Sequence, residues 1–259
     1  MDAAKLERAV EALDQARLVV AATGAGMSKE SGIPTFRDAQ EGLWARYNPE
    51  ELASPQGFRQ DPARVWGWYN YRRRLIAGSS PHAGHRALAE LEELVPRLVV
   101  VTQNIDGFHK QSGSSTVLEL HGNINRFKCF EHGHPVDIEI PPAAGDGPLE
   151  PPKCPRCGSY IRPDVVWYGE MLPHGVFEQA ENFARSCDVM LVVGTSGIVY
   201  PAAALPMAAR VGGAIVIEVN TQPSQLTQMV DILLQGPAGE VLPALVTGLA
   251  ARGPGGGHA

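Results

Sequence analysis

The stretch TGAGMSKESGIPTFRD, residues 23–38, follows the apolar run 18–22 and places two glycines where a buried strand hands over to a helix. Such a turn lets backbone N–H groups approach a phosphate closely and aims a helix N-terminus at its charge. A dinucleotide fingerprint G-x-G-x-x-G calls for glycine at position 29, and Lys29 stands there instead. Pro34 ends the helix early and sets Thr35, Phe36, Arg37 and Asp38 on a flap over the ligand. The departure argues against an ordinary hydride-transfer turn.

Working outward, residues 3–16 carry Leu6, Val10 and Leu13 at helical spacing, leading into the apolar run. Runs 98–101, 189–193 and 214–219 are also apolar on both faces, as central parallel strands are. They end in Thr102-Gln103-Asn104, Gly194-Thr195-Ser196 and Asn220. Ligands of open α/β sheets bind beyond the carboxyl ends of the strands, so these endings describe one cleft. Between them lie helical patterns such as 83–94. The expected fold is α/β, a Rossmann-like doubly wound parallel sheet built from 1–38, 81–121 and 165–259. Two insertions break the alternation and should form a smaller lobe: 39–80, rich in aromatic and helix-forming residues, and 122–164, which holds three of the four cysteines.

With 259 residues the chain can bury a substantial core, and its formal net charge of -6 leaves no clustered basic footprint for specific nucleic-acid binding. Arg72, Arg73 and Arg74 form the one local exception. No run reaches the length of a membrane span, and the first helix is charged rather than signal-like, so a cytoplasmic protein is expected. In a reducing compartment, closely spaced cysteines read as metal ligands.

Cys154-Pro-Arg-Cys157-Gly is a zinc knuckle, two thiolates on a tight turn. Its partner half is unusual, reading Cys129-Phe-Glu-His132-Gly-His134. By spacing, His132 takes the second position, ahead of His134, giving a four-ligand site of Cys129, His132, Cys154 and Cys157 with no open position. One structural zinc ion is expected; the alternative is a lobe that packs without metal. Cys187, next to a strand, reads as a core thiol.

Asn104 and Asp106 offer an amide and a carboxylate at a strand end, where they can orient a ribose and a carboxamide. His121, followed by Gly122, sits where an imidazole can reach a sugar hydroxyl as general base. GAGMSKESGIPTFRD, TQNIDGFH, HGN, the cysteine knuckle, VVWYGE (165–170), VGTS (193–196) and EVN (218–220) occur in the order in which they stand in the sirtuins, the NAD-dependent protein deacylases, and nearly the whole chain resembles that family. The resemblance implies that Gly24, Ala25, Gly26, Phe36, Arg37, Gln103, Asn104, Asp106, Gly194, Thr195, Ser196, Asn220 and Ala238 line an NAD cleft, with His121 as base. It also implies that Val165, Val166, Trp167 and Gly169 lie along an extended acyl-lysine peptide, pairing with it as a strand adds to a sheet. The acyl oxygen then attacks the anomeric carbon as nicotinamide leaves, and His121 takes a proton from the ribose hydroxyls. The products implied are nicotinamide, free lysine and acylated ADP-ribose.

Asp61 and Pro62 start a helix running through about Ile76, with Val65, Tyr69, Arg72 and Ile76 on its inward face and Arg73 and Arg74 pointing elsewhere. An arginine on an apolar face needs an anionic partner, and from the pattern alone a protein carboxylate such as Glu50 or Glu51 serves as well as a ligand. In the bacterial desuccinylase and demalonylase type of sirtuin, an alanine, a tyrosine and an arginine recur in this arrangement, and Ala53, Tyr69 and Arg72 are similar in type and spacing. The resemblance implies an acyl pocket in which phenol and guanidinium bind the distal carboxylate of a succinyl or malonyl group, with deacetylation alongside. A deacetylase-only sirtuin, a mono-ADP-ribosyltransferase, an NAD-dependent dehydrogenase and a non-enzymatic zinc-ribbon module are the competing readings. A dehydrogenase lacks its third glycine here, and a binding module has no use for TQNID.

Overall fold

A computed structural model describes residues 2–34 and 45–253. Its frame is a six-stranded parallel sheet of β1 (Val19–Thr23), β2 (Leu98–Thr102), β3 (Val117–Glu119), β7 (Val189–Val193), β8 (Ile215–Asn220) and β9 (Ile232–Gln235), ordered β3-β2-β1-β7-β8-β9. Counted within the sheet this is the order 3-2-1-4-5-6 of dinucleotide-binding folds, with the topological switch between β1 and β7. Successive side chains of a strand point to opposite faces, and both faces here are covered. Val19, Ala21, Val100, Leu191 and Ile217 pack under α1 (Ala3–Gln15), α6 (Ala83–Leu94) and α10 (Ala238–Ala250). Val20, Ala22, Val99, Met190 and Val216 pack under α8 (Val176–Ser186) and α9 (Leu205–Val211). That two-sided burial is why the strands read as continuous apolar runs. Strand β9 did not stand out in the sequence, being a four-residue edge strand.

Helix α2 (Ala25–Lys29) and the one-turn helix α7 (Phe108–Gln111) begin at the carboxyl ends of β1 and β2. The first insertion forms α3 (Pro49–Leu52), α4 (Pro55–Gln60) and α5 (Pro62–Ala77). Each carries proline in its first turn and a side-chain N-cap from Asn48, Ser54 and Asp61 in turn. The second insertion contributes an antiparallel sheet, β5-β4-β6, from β4 (Gly122–Cys129), β5 (Pro135–Val136) and β6 (Ile161–Val165). The two insertions lock together along α5. Asn70 exchanges hydrogen bonds with the backbone of Ala143 at 2.9 and 2.8 Å, and the Leu149 N–H donates to the Ala63 carbonyl at 2.8 Å. Arg73, which points away from the face shared by Tyr69 and Arg72, is buried, with its guanidinium 4.9 Å from the Phe127 ring centroid and bonded to the Ile140 carbonyl. Arg74 pairs with Asp146. Among the described residues no helix is long and apolar enough to cross a membrane.

Candidate active site

The carboxyl ends of β1 and β7 meet backbone to backbone. The Gly24 N–H donates to the Val193 carbonyl at 3.0 Å and the Gly26 N–H to the Gly194 carbonyl at 2.8 Å. Gly194 has φ +59°, and a Cβ there would lie 2.3 Å from the Met27 nitrogen. Only glycine meets both requirements, and the result is a bare backbone cradle beside the N-terminus of α2, suited to a pyrophosphate. It opens into a cavity of about 1220 Å³ lined by Gly24, Ala25, Gly26, Gln103, Asn104, Asp106, His121, Gly194, Thr195, Ser196 and Asn220. That is large enough for a dinucleotide with a reaction partner. Phe36 and Arg37 lie outside the described residues. Ala238 is not brought to the cavity; it is buried in the apolar core as the first residue of α10.

The strand-end polar groups are fixed by one another. Asn104 donates through Nδ2 to the Gly24 carbonyl at 2.9 Å and to Ser28 Oγ at 3.0 Å. The Ser28 hydroxyl in turn donates to Asp106 Oδ2 at 2.7 Å, and the Phe108 N–H reaches Asp106 Oδ1 at 2.9 Å. Burial pushes the Asp106 carboxyl above its usual range despite these donors. Ser28 was missed in the sequence because a serine in the first turn of a helix has no distinguishing spacing. Asn220 donates to the Thr195 carbonyl at 3.1 Å, tying β8 to the loop after β7.

His121 stands between β3 and β4 with Nδ1 3.0 Å from the Gln103 carbonyl oxygen. A carbonyl can only accept, so Nδ1 carries the proton and Nε2 keeps its lone pair. Burial holds the imidazole below its ordinary value, although the Gln103 carbonyl acts the other way. A neutral imidazole in this tautomer suits a general base at neutral pH.

The same cavity is lined on its other side by Ala53, Tyr69, Arg72, Val165, Val166, Trp167 and Gly169. Tyr69 and Ala53 are buried and Arg72 is half-buried. Arg72 is held below the usual guanidinium range by burial, with Tyr69 and Asp106 opposing that shift. Of the carboxylates weighed as its partner, Glu51 is engaged elsewhere, closing a capping box with Asn48 and lying 3.9 Å from Arg64. The segment after β6 is strapped down: the Val166 N–H donates to the His121 carbonyl at 3.0 Å, Tyr168 N–H to the Ala53 carbonyl at 2.9 Å, and Trp167 N–H to Glu170 at 2.8 Å. Those three donors are thus used within the chain, so a peptide pairing here must take other backbone groups. Trp167 is a buried wall of the cavity rather than an open strand position.

Away from the cavity, Cys129, His134 and Cys154 bring their donor atoms within 4.8 Å of one another, and Cys157 Sγ lies 3.5 Å from Cys129 Sγ. Two thiolates on one tetrahedral zinc are about 3.8 Å apart, so the donor set fits a structural Zn²⁺. The histidine that stands in this cluster is His134, with Nε2 3.3 Å from Cys154 Sγ, and not the expected His132. The hairpin explains the correction: the Cys129 N–H donates to the His134 carbonyl at 2.9 Å, Gly133 adopts φ +67°, and Lys128 pairs with Pro135. His134 is therefore the cross-strand neighbour of Cys129, while His132 sits on the turn. Counting C-x-x-H from a knuckle assumed a tighter loop than this one. Cys187 is buried, its thiol pushed up to about 12 by burial.

The Sir2 family model matches residues 24–201. The NAD-dependent protein deacylase 2 of Pyrobaculum aerophilum is 50% identical over 236 residues, covering 90% of this chain and 92% of that protein. The NAD-dependent protein deacylase 1 of Pseudomonas aeruginosa is 48% identical over 92% of this chain and 96% of its own length. Among solved structures, a Sir2 homolog–NAD complex superposes with a TM-score of 0.87 at 42% identity, covering 95% of this chain and 94% of that one. A Sir2 protein bound to an acetylated peptide superposes with a TM-score of 0.81 at 28% identity, covering 93% and 97%.

Proposed function

The chain belongs to the Sir2 family and is an NAD-dependent protein deacylase, and from that premise we propose that it removes succinyl and malonyl groups, together with acetyl groups, from lysine side chains of proteins. The observation that carries the acyl preference is that Tyr69 and Arg72, a phenol and a guanidinium, line the same cavity as His121, beside the small Ala53. An arginine in a partly dry pocket favours a ligand that brings a carboxylate. NAD, when bound, supplies the anomeric carbon that accepts the acyl oxygen as nicotinamide leaves, so the acyl group departs on ADP-ribose.

The chain's residues do the rest. The glycine cradle at Gly24, Gly26 and Gly194 takes the pyrophosphate. Asn104 and Asp106, immobilised through Ser28, orient the ribose and the carboxamide. His121 Nε2 accepts the ribose hydroxyl proton, with Nδ1–H anchored on Gln103. Tyr69 and Trp167 keep bulk water from the reacting atoms, and holding both reactants in one site supplies much of the rate. Cys129, His134, Cys154 and Cys157 would hold a zinc ion, and four protein donors would leave it a structural role.

The test compares acetyl-, succinyl- and malonyl-lysine peptides with NAD and follows nicotinamide release. Arg72→Met should lower kcat/KM for the acidic acyl peptides about a hundredfold more than for the acetyl peptide, the cost of losing a charge-assisted bidentate contact. Equal losses would remove Arg72 from acyl recognition.

A further inference from the structure

Trp167 is joined to Tyr69 by a hydrogen bond inside the cavity wall: the indole Nε1–H lies 2.9 Å from the phenol oxygen, and both residues are 2% exposed. An indole N–H can only donate. The Tyr69 oxygen therefore accepts, and the phenol's own proton is the group it can turn toward the space it lines. Burial raises the Tyr69 pKa above the ordinary phenol value, so that proton stays on.

The indole is itself clamped. Glu170 accepts the Trp167 backbone N–H at 2.8 Å and one Arg162 Nη at 3.0 Å. The buried Arg162 guanidinium lies 3.2 Å from the Trp167 ring centroid, where the ring's negative face attracts it. Arg162 also donates to the Val165 carbonyl at 2.6 Å, and Phe58 packs against the indole with centroids 5.4 Å apart. Ring plane and N–H direction are thus set before any substrate arrives, and such linked donors polarise one another.

We propose that Trp167 is a positioning residue for acidic acyl groups, its indole N–H committing the Tyr69 hydroxyl to act as a donor into the acyl pocket. The inference rests on the acidic-acyl reading above and deepens it. A phenol free to rotate presents a lone pair as readily as a proton, and a lone pair repels a carboxylate. With the indole in place, Tyr69 and Arg72 both present donors to a distal carboxylate. An acetyl group ends in a methyl and draws little from this bias.

Trp167→Phe keeps an aromatic ring against Phe58 and Arg162 while removing the N–H donor together with the pyrrole half of the indole, a loss of packing felt by both peptides and cancelled in their ratio. The succinyl-to-acetyl ratio of kcat/KM should fall about tenfold, the worth of one net hydrogen bond at a charged acceptor, chiefly through KM for the succinyl peptide. In a Tyr69→Phe background the same substitution should lower the ratio no further, because the partner it positions is gone. Equal losses on both peptides, or full additivity in the double variant, would overturn the role of Trp167. Arg72→Met tells the two readings apart. If that variant loses both activities equally, the acidic-acyl reading fails and takes this one with it; if it is selective while Trp167→Phe is not, only the role of Trp167 fails.

Discussion

His121 Nδ1 lies 3.0 Å from the Gln103 carbonyl oxygen, so one hydrogen bond sets which nitrogen of the imidazole is basic. Burial depresses the imidazole pKa, and a base must be unprotonated to work. The acid limb of the kcat/KM–pH profile should therefore fall below the ordinary imidazole value of about 6.5. His121→Ala should reduce turnover about 10²- to 10⁴-fold and abolish that limb, while NAD binding measured by calorimetry persists. A limb above the free imidazole value would contradict the burial argument.

Gly194 touches the α2 turn so closely that any side chain must displace backbone. Gly194→Ala carries a left-handed conformation costing about 1–2 kcal/mol, with the collision against Met27 added to it. The expected result is a lower melting temperature with loss of NAD binding. A variant that binds NAD normally would show that the cradle yields.

Zinc should be present at one ion per chain by metal analysis, and Cys154→Ser or His134→Ala should lose it and melt earlier. His132→Ala should keep it. The reverse pattern between the two histidines would restore the spacing-based assignment.

His85 of α6 and His109 of α7 pack together, both buried, with ring centroids 5.0 Å apart. Burial, aided by neighbouring histidines, lowers His85 to about 2 and His109 to about 4. Both values are below that of an unfolded histidine, so between them the unfolded chain binds more protons and stability falls as pH falls. Between about pH 6 and pH 4 these two histidines should lower the unfolding free energy with a slope approaching two protons, about 2.7 kcal/mol per pH unit, and below about pH 4 His85 alone should continue it. Denaturant unfolding across that range measures it, and His85→Leu should flatten the slope by about one proton. A stability independent of pH there would mean that the cluster charges without unfolding.

Most of the sheet could be read because burial on both faces leaves an unbroken apolar run, as in Val19–Thr23 and Val189–Val193. Polar strand endings located the cleft for the same reason, since Gln103, Asn104 and Asn220 break those runs where the chain meets the ligand. Contacts fixed by tertiary geometry were not legible. The Trp167–Tyr69 bond joins residues 98 positions apart and has no periodic signature. His134 replaced His132 because hairpin length, rather than ligand spacing, decides which side chain faces Cys129. Arg73 read only as pointing away from the face shared by Tyr69 and Arg72, because its burial depends on the second insertion folding over α5, which the pattern of α5 does not reveal.

The groups around the cavity come from two sources. The glycine cradle and the Asn104–Ser28–Asp106 chain hang from the ends of the parallel strands, whereas Ala53, Tyr69, Arg72 and Trp167 come from the inserted helices and the strap after β6. With the acyl pocket assigned as proposed above, selection could rewrite what the enzyme takes off a lysine while leaving the dinucleotide cradle unchanged. A lineage could change acyl diet by a few substitutions on α5 and the strap, each tested against an unaltered chemical engine.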